Sequence, residues 1–171
     1  MARRLLERRT DMAATNIGTG AAAVPAPPCL IISRLVAEAS ARPEFEQIAL
    51  IAERRLLLKR RWRGKAQDGT EFGFDLDSRL HDGCVIHQTT EADYVIRQVR
   101  EPVYVVRPAT TGQAALLGWK IGNLHMPVEI TDGEIRTTHD PSVLQLLERE
   151  GWPFEESTML FNPLRVIAHA P

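Results

Sequence analysis

The chain has 171 residues, 44% of them hydrophobic and 25% charged, a globular composition that excludes collagen-like, coiled-coil and wholly disordered classes. Twenty-one Lys and Arg against 22 Asp and Glu leave a net charge of -1, which argues against a dedicated nucleic-acid binder. No apolar run reaches the length that crosses a bilayer, the longest comparable stretch being the strand-sized Cys29-Leu30-Ile31-Ile32, so no membrane partner is expected.

Residues 1–28 carry Arg3, Arg4, Arg8 and Arg9 against Glu7 and Asp11, then an Ala, Gly, Thr and Pro stretch ending Val24-Pro25-Ala26-Pro27-Pro28. This composition predicts a disordered leader. An export signal needs an apolar core, and Thr15-Asn16-Ile17-Gly18-Thr19-Gly20 supplies none. An Arg-rich transit peptide and a start at Met12 remain alternatives. Only Cys29 and Cys84 are present, without a C-x-x-C pair, so neither a disulfide framework nor a thiolate zinc site is signalled and a reducing cytoplasm is the expected compartment.

From Leu30 the texture becomes that of a small β domain, expected over 29–102. Leu56-Leu57-Leu58, Glu71-Phe72-Gly73-Phe74-Asp75-Leu76 and Tyr94-Val95-Ile96 are strand-sized runs, punctuated by Gln67-Asp68-Gly69 and His81-Asp82-Gly83, where Asp-Gly provides the positive φ of a tight turn. Arg54, Arg55, Lys59, Arg60, Arg61, Arg63 and Lys65 crowd its second expected strand. They read either as a solvated face or as a docking patch for an acidic protein surface. Aromatic interleaving is limited to Trp62, which leaves nucleic acid the weakest reading.

Glu101-Pro102 marks the next boundary, after which the period changes. Tyr104-Val105-Val106-Arg107 predicts a strand, and Thr110 to Gly122 a helix with Ala114, Leu117 and Ile121 on its core face and a stop at Gly122-Asn123. Val128-Glu129-Ile130 and Glu134-Ile135-Arg136-Thr137 flank Thr131-Asp132-Gly133 as a hairpin. Asp140 and Pro141 have the chemistry of an N-cap and a first helical residue, and Gly151 ends that helix, whose apolar positions are Val143, Leu144, Leu146 and Leu147. A last strand near Pro153 to Leu160 completes β-α-β-β-α-β. The expected class is therefore α+β, an N-terminal all-β domain followed by a ferredoxin-like domain over 103–163 and a flexible tail over 164–171.

No nucleophile elbow, Walker loop, H-E-x-x-H or strand-borne G-x-G-x-x-G occurs, so no catalytic machinery is visible and the protein is not expected to be an enzyme. Cys84 and His87 lack a third orienting group, and a buried thiol beside a surface imidazole accounts for them better than a nucleophilic pair does. His125, in Gly122-Asn123-Leu124-His125-Met126-Pro127, follows the helix end. His139 stands in Thr138-His139-Asp140 at the close of the hairpin. Imidazole suits nickel, copper and zinc, although a lone loop His is more often an ordinary surface residue.

Leu117-Gly118-Trp119-Lys120-Ile121-Gly122-Asn123-Leu124-His125-Met126-Pro127-Val128-Glu129-Ile130, followed by His139-Asp140-Pro141-Ser142-Val143-Leu144, resembles the urease accessory protein UreE family of nickel metallochaperones. The basic run Arg54 to Arg63, Phe74-Asp75-Leu76, His81-Asp82-Gly83 and Glu101-Pro102-Val103-Tyr104-Val105-Val106-Arg107-Pro108 resemble its amino-terminal half.

The resemblance implies a homodimer in which His125 meets its copy across a two-fold axis and holds one Ni2+ ion, with Cu2+ or Zn2+ as substitutes. It implies delivery to an accessory GTPase and apo-urease, with no turnover by the chaperone. An isologous interface doubles each residue on its axis, so one imidazole per chain is enough to begin a site. Three departures stand out: Leu124 where the family has Arg, Pro141 where it often has a second His, leaving His139 alone, and a tail Arg165-Val166-Ile167-Ala168-His169-Ala170-Pro171 in place of a histidine-rich run. His139 and His169 are thus expected as supplementary metal ligands at most. The competing reading is an interaction module of the same fold that has lost useful metal affinity.

Overall fold

Asp68-Gly69 and Asp132-Gly133 turn two of the hairpins of this chain, and two capped helices fill the gaps between strands in its second half. The computed structural model describes residues 29–164. The leader 1–28, and the tail from Arg165 onward with His169, lie outside the described residues. The whole is a mixed α+β architecture.

In the first half, β1 (Leu30–Ile32), β3 (Arg61–Lys65) and β4 (Glu71–Asp75) form a sheet of order β1-β4-β3, while β2 (Gln47–Ala52), β5 (Val85–Gln88) and β6 (Asp93–Gln98) form one of order β2-β6-β5. Gly69 and Gly83 take φ of 93° and 87°, which lets the chain reverse after Asp68 and Asp82. Leu50, Phe72, Phe74, Ile86 and Ile96 are buried together, and Trp62 stacks on Phe74 with ring centroids 4.0 Å apart. The long segment before β2 is anchored by Asp93, whose buried carboxylate accepts from Ser40 Oγ at 2.6 Å and Gln88 Nε2 at 3.0 Å and lies 3.2 Å from Arg42 Nε. These partners replace the water it loses.

One expectation fails here. Leu56-Leu57-Leu58 and the basic run do not form one strand, because Arg54–Leu57 closes a helical turn, α1, and β3 begins only at Arg61. Arg and Leu are good helix formers, no β-branched residue interrupts them, and the turn drives Leu57 into the core.

In the second half, β7 (Glu101–Val106), α2 (Thr111–Asn123), β8 (Val128–Thr131), β9 (Glu134–Thr138), α3 (Pro141–Glu150) and β10 (Glu155–Met159) follow in order. The strands pair antiparallel in the order β10-β7-β9-β8. Both helices bury one face against the same side of this sheet: Leu117 and Ile121 of α2, with Val143, Leu146 and Leu147 of α3, pack with Tyr104, Val106 and Ile135. Thr110 caps α2 by accepting from Gln113 N–H, and Asp140 caps α3 by accepting from Ser142 N–H. Gly151 ends α3 at φ 65°. The opposite side of the sheet presents Val103 and Val105, covered by Phe161 and Met159.

Candidate metal site

α2 ends at the expected Gly122-Asn123 stop. The helix runs through Asn123, Leu124 is its last right-handed residue, and His125 takes φ 54°, the only non-glycine among the described residues with positive φ. His125 N–H donates to Gly122 O at 2.9 Å and Met126 N–H to Ile121 O at 3.4 Å, the paired bonds of a Schellman cap. A glycine usually stands at that left-handed position; His is among the few side chains found there. Met126, half-buried against the helix core, accepts from Thr138 Oγ1 at Sδ, 3.9 Å away, and Thr137 Oγ1 donates to Pro127 O at 3.0 Å. The loop is thus tied to β9, while the His125 side chain is exposed.

Leading to His125 is a face of α2 that no element covers. Ala115, Leu116, Trp119, Gly122 and Asn123 fall on it, with Leu124 at its end; Trp119 is 64% exposed and Leu116 45%. None is charged. Lys120 lies to one side, 2.6 Å from Glu150 and above the Trp152 ring. Ala114, Leu117 and Ile121, the stripe expected from the sequence, face the core. The second stripe was legible as apolar residues out of phase with the first.

His139 follows the last residue of β9 and stacks on Tyr104, with centroids 4.5 Å apart and 24° between planes. Its Nε2 lies 3.4 Å from Glu156 Oε2. Burial, with the charges of Glu156, Glu148 and Asp140 adding to it, pushes the Tyr104 hydroxyl above its ordinary range. His125 and His139 belong to segments that meet at the Val128–Thr137 pairing and the Met126–Thr138 contact. Among the described residues no three His, Cys, Asp or Glu side chains converge on one point. The described residues of one chain therefore do not by themselves assemble a site of three or more such ligands.

The basic residues divide. Arg54 is 11% exposed, forks onto Glu101 with Nε 2.6 Å and Nη2 3.1 Å from its oxygens, and sits 5.2 Å above the Phe161 ring centroid. It is an internal strut. Arg60 and Arg61 both bond Asp75, whose carboxyl those two hydrogen bonds hold below the usual range. Arg55, Lys59 and Arg63 are exposed and make no ion pair among the described residues. Cys84 is fully buried, which raises its thiol, and His87 packs near Phe72 and Tyr94.

Residues 101–170 match the family described as "UreE urease accessory protein, C-terminal domain". The chain is 32% identical over 120 residues to the urease accessory protein UreE of Nostoc punctiforme, covering 68% of this chain and 79% of that protein. It is 27% identical over 131 residues to that of Bacillus cereus, covering 75% and 85%. To the counterpart of Geobacillus kaustophilus it is 27% identical over 142 residues, covering 81% and 95%. The chain belongs to the UreE family of urease accessory proteins.

Proposed function

We propose that this protein is a nickel-carrying metallochaperone of urease maturation, working as a homodimer with the ion held between the two copies of His125. The observation that carries the reading is the uncharged, exposed face of α2 that ends in the outward imidazole of His125. A second copy of the chain seated on Leu116 and Trp119 would cover that face and bring two imidazoles to one axis. Two protein ligands leave the remaining coordination positions to water, which suits an ion that must be handed on.

In this reading residues 103–163 are a ferredoxin-like metal-binding and dimerisation domain, supported by the strand order β10-β7-β9-β8 with both helices on one side. Residues 29–102 are a docking domain that presents Arg55, Lys59 and Arg63 to the acidic surface of a partner, in the family's pathway the accessory GTPase and apo-urease. The protein turns nothing over, and a cytoplasmic site of action is part of the reading. His139 and His169 are supplementary ligands. Leu164 N–H donates to Val128 O at 2.7 Å, so the tail departs three residues beyond His125. The five residues from Leu164 to His169 reach up to about 17 Å when extended.

Trp119→Glu tests the reading by placing a charge in the covered face. Sedimentation should show a dimer for the parent and a monomer for the variant, and tight nickel binding should vanish with His125 intact. Tight binding by the monomeric variant would refute the shared site.

A further inference from the structure

α2 is held on its sheet by a narrow seam. Of its residues only Leu117 and Ile121 are fully buried, with Ala114 packed partly beside them. Apolar contact is non-directional, so such a seam fixes where the helix lies better than it fixes rotation about the helix axis. The loop that follows is tied to β9 by Thr138 Oγ1 on Met126 Sδ, a single contact at one end.

Lys120 supplies a directional tie. At about 3.6 residues per turn it falls on the flank of the buried stripe, one turn after Leu116, and its Nζ lies 2.6 Å from Oε1 of Glu150, the last residue of α3. The two side chains are only 24% and 21% exposed, which shelters the pair from the solvent that weakens a surface contact. The ammonium also stands 5.8 Å from the centroid of the Trp152 ring. Among the described residues no other side-chain ion pair or hydrogen bond joins α2 to another element. Glu150 is placed against its own helix, since a carboxylate in the last turn of α3 meets the negative end of the helix dipole. The hydrogen bond from Lys120 holds its carboxyl below the ordinary range, and Arg149 adds a longer contact at 3.5 Å from an exposed side chain.

We propose that Lys120 is a positioning residue: its pair with Glu150 sets the rotation of α2 about its own axis, and so the direction in which Leu116, Trp119 and the His125 end of the helix face. A helix turned by one residue position, about 100°, would exchange Trp119 for a lysine at the centre of the uncovered face. The consequence for a shared site rests on the metallochaperone reading; the orientation of the helix does not.

The test compares the full-length parent, Glu150→Lys and the exchanged pair Lys120→Glu/Glu150→Lys, all without metal, by amide residual dipolar couplings in a stretched gel. Along α2 these couplings oscillate with the helical period, and the phase of the oscillation reports rotation about the axis, with the β7 and β9 amides as the frame. Glu150→Lys sets two ammonium groups against each other while suiting the α3 dipole, and should shift that phase with the β7 and β9 couplings unchanged; the exchange should restore it. The same phase in parent and Glu150→Lys, or a shift that the exchange leaves uncorrected, overturns the proposal. Lys120→Met, which keeps the stem and removes the charge, serves if Glu150→Lys does not fold, and an unshifted phase there counts equally against it. Sedimentation and nickel titration of the same proteins separate the two claims. Weakened dimer and nickel binding in Glu150→Lys, recovered on exchange, supports positioning of the shared site, and unaltered dimer and nickel affinity in that variant overturns it. A parent that neither dimerises nor binds nickel refutes the shared site, and the dipolar readout then decides the orientation alone.

Discussion

The imidazole of His139 lies nearly flat on the ring of Tyr104, 4.5 Å between centroids, with its Nε2 facing Glu156 at 3.4 Å. Its ring is held by packing and by a carboxylate before any metal arrives. His139→Ala is therefore expected to weaken nickel binding by less than about tenfold, roughly 1.4 kcal/mol, measured by competition with a chromophoric chelator. Complete loss of binding would make His139 a principal ligand.

His125 stands where glycine would be unstrained. His125→Gly and His125→Ala both remove the imidazole, but Ala keeps a Cβ at φ 54° and Gly does not. Urea unfolding should find the glycine variant more stable than the alanine variant by about 1 kcal/mol. The reverse order would mean that the left-handed cap is not the conformation in solution. The pair also separates loss of a ligand from loss of the fold, since both variants should fail to bind nickel.

Arg54 and Arg55 are neighbours with different work. Truncating Arg54 leaves Glu101 half-buried without its partner and uncovers Phe161, so Arg54→Ala should cost about 1–3 kcal/mol, whereas Arg55→Ala should stay within about 0.5 kcal/mol. Thermal unfolding of the two variants checks this. Binding to an acidic partner should show the opposite sensitivity, falling with Arg55→Ala at unchanged stability.

His81 gives a pH dependence. Its Nδ1 donates to Asp82 O at 2.9 Å, the largest cause of its raised pKa, and its Nε2 faces Glu38 Oε2 at 2.7 Å. Only the imidazolium has a proton for both. A folded pKa above the unfolded value means that the contribution is complete below about pH 6.5 and disappears as pH rises through the folded pKa. With 46% of the side chain exposed the effect is under about 1 kcal/mol. The destabilisation caused by His81→Ala should accordingly be larger at pH 5.5 than at pH 8, by urea unfolding at about those two values. Equal destabilisation at both would contradict the ion pair.

Much of the second half was legible because its signals are local. Asp140-Pro141 and Gly151 bracket α3, and Thr131-Asp132-Gly133 reverses the hairpin, each through backbone chemistry within a few residues. The first half hid its parallel pairs, β1 with β4 and β2 with β6, because no turn joins parallel neighbours and Ile48 to Ala52 carries no polar alternation. Arg54 looked like one more surface cation, and only the helical turn swings it onto Glu101. At the site, His125 was legible as a residue just past the helix stop, but its left-handed backbone was not, since glycine is the usual residue at that position. Phe161 lies outside any periodic element, so nothing in the pattern marked it as the cover of a sheet.

The shared site is tested most directly by calorimetric titration of nickel into the parent protein and into His125→Ala. One tight ion per two chains is expected in the parent, because two copies of one imidazole make one site, and no tight binding in the variant. One or more tight ions per chain, unchanged in His125→Ala, would contradict the shared site.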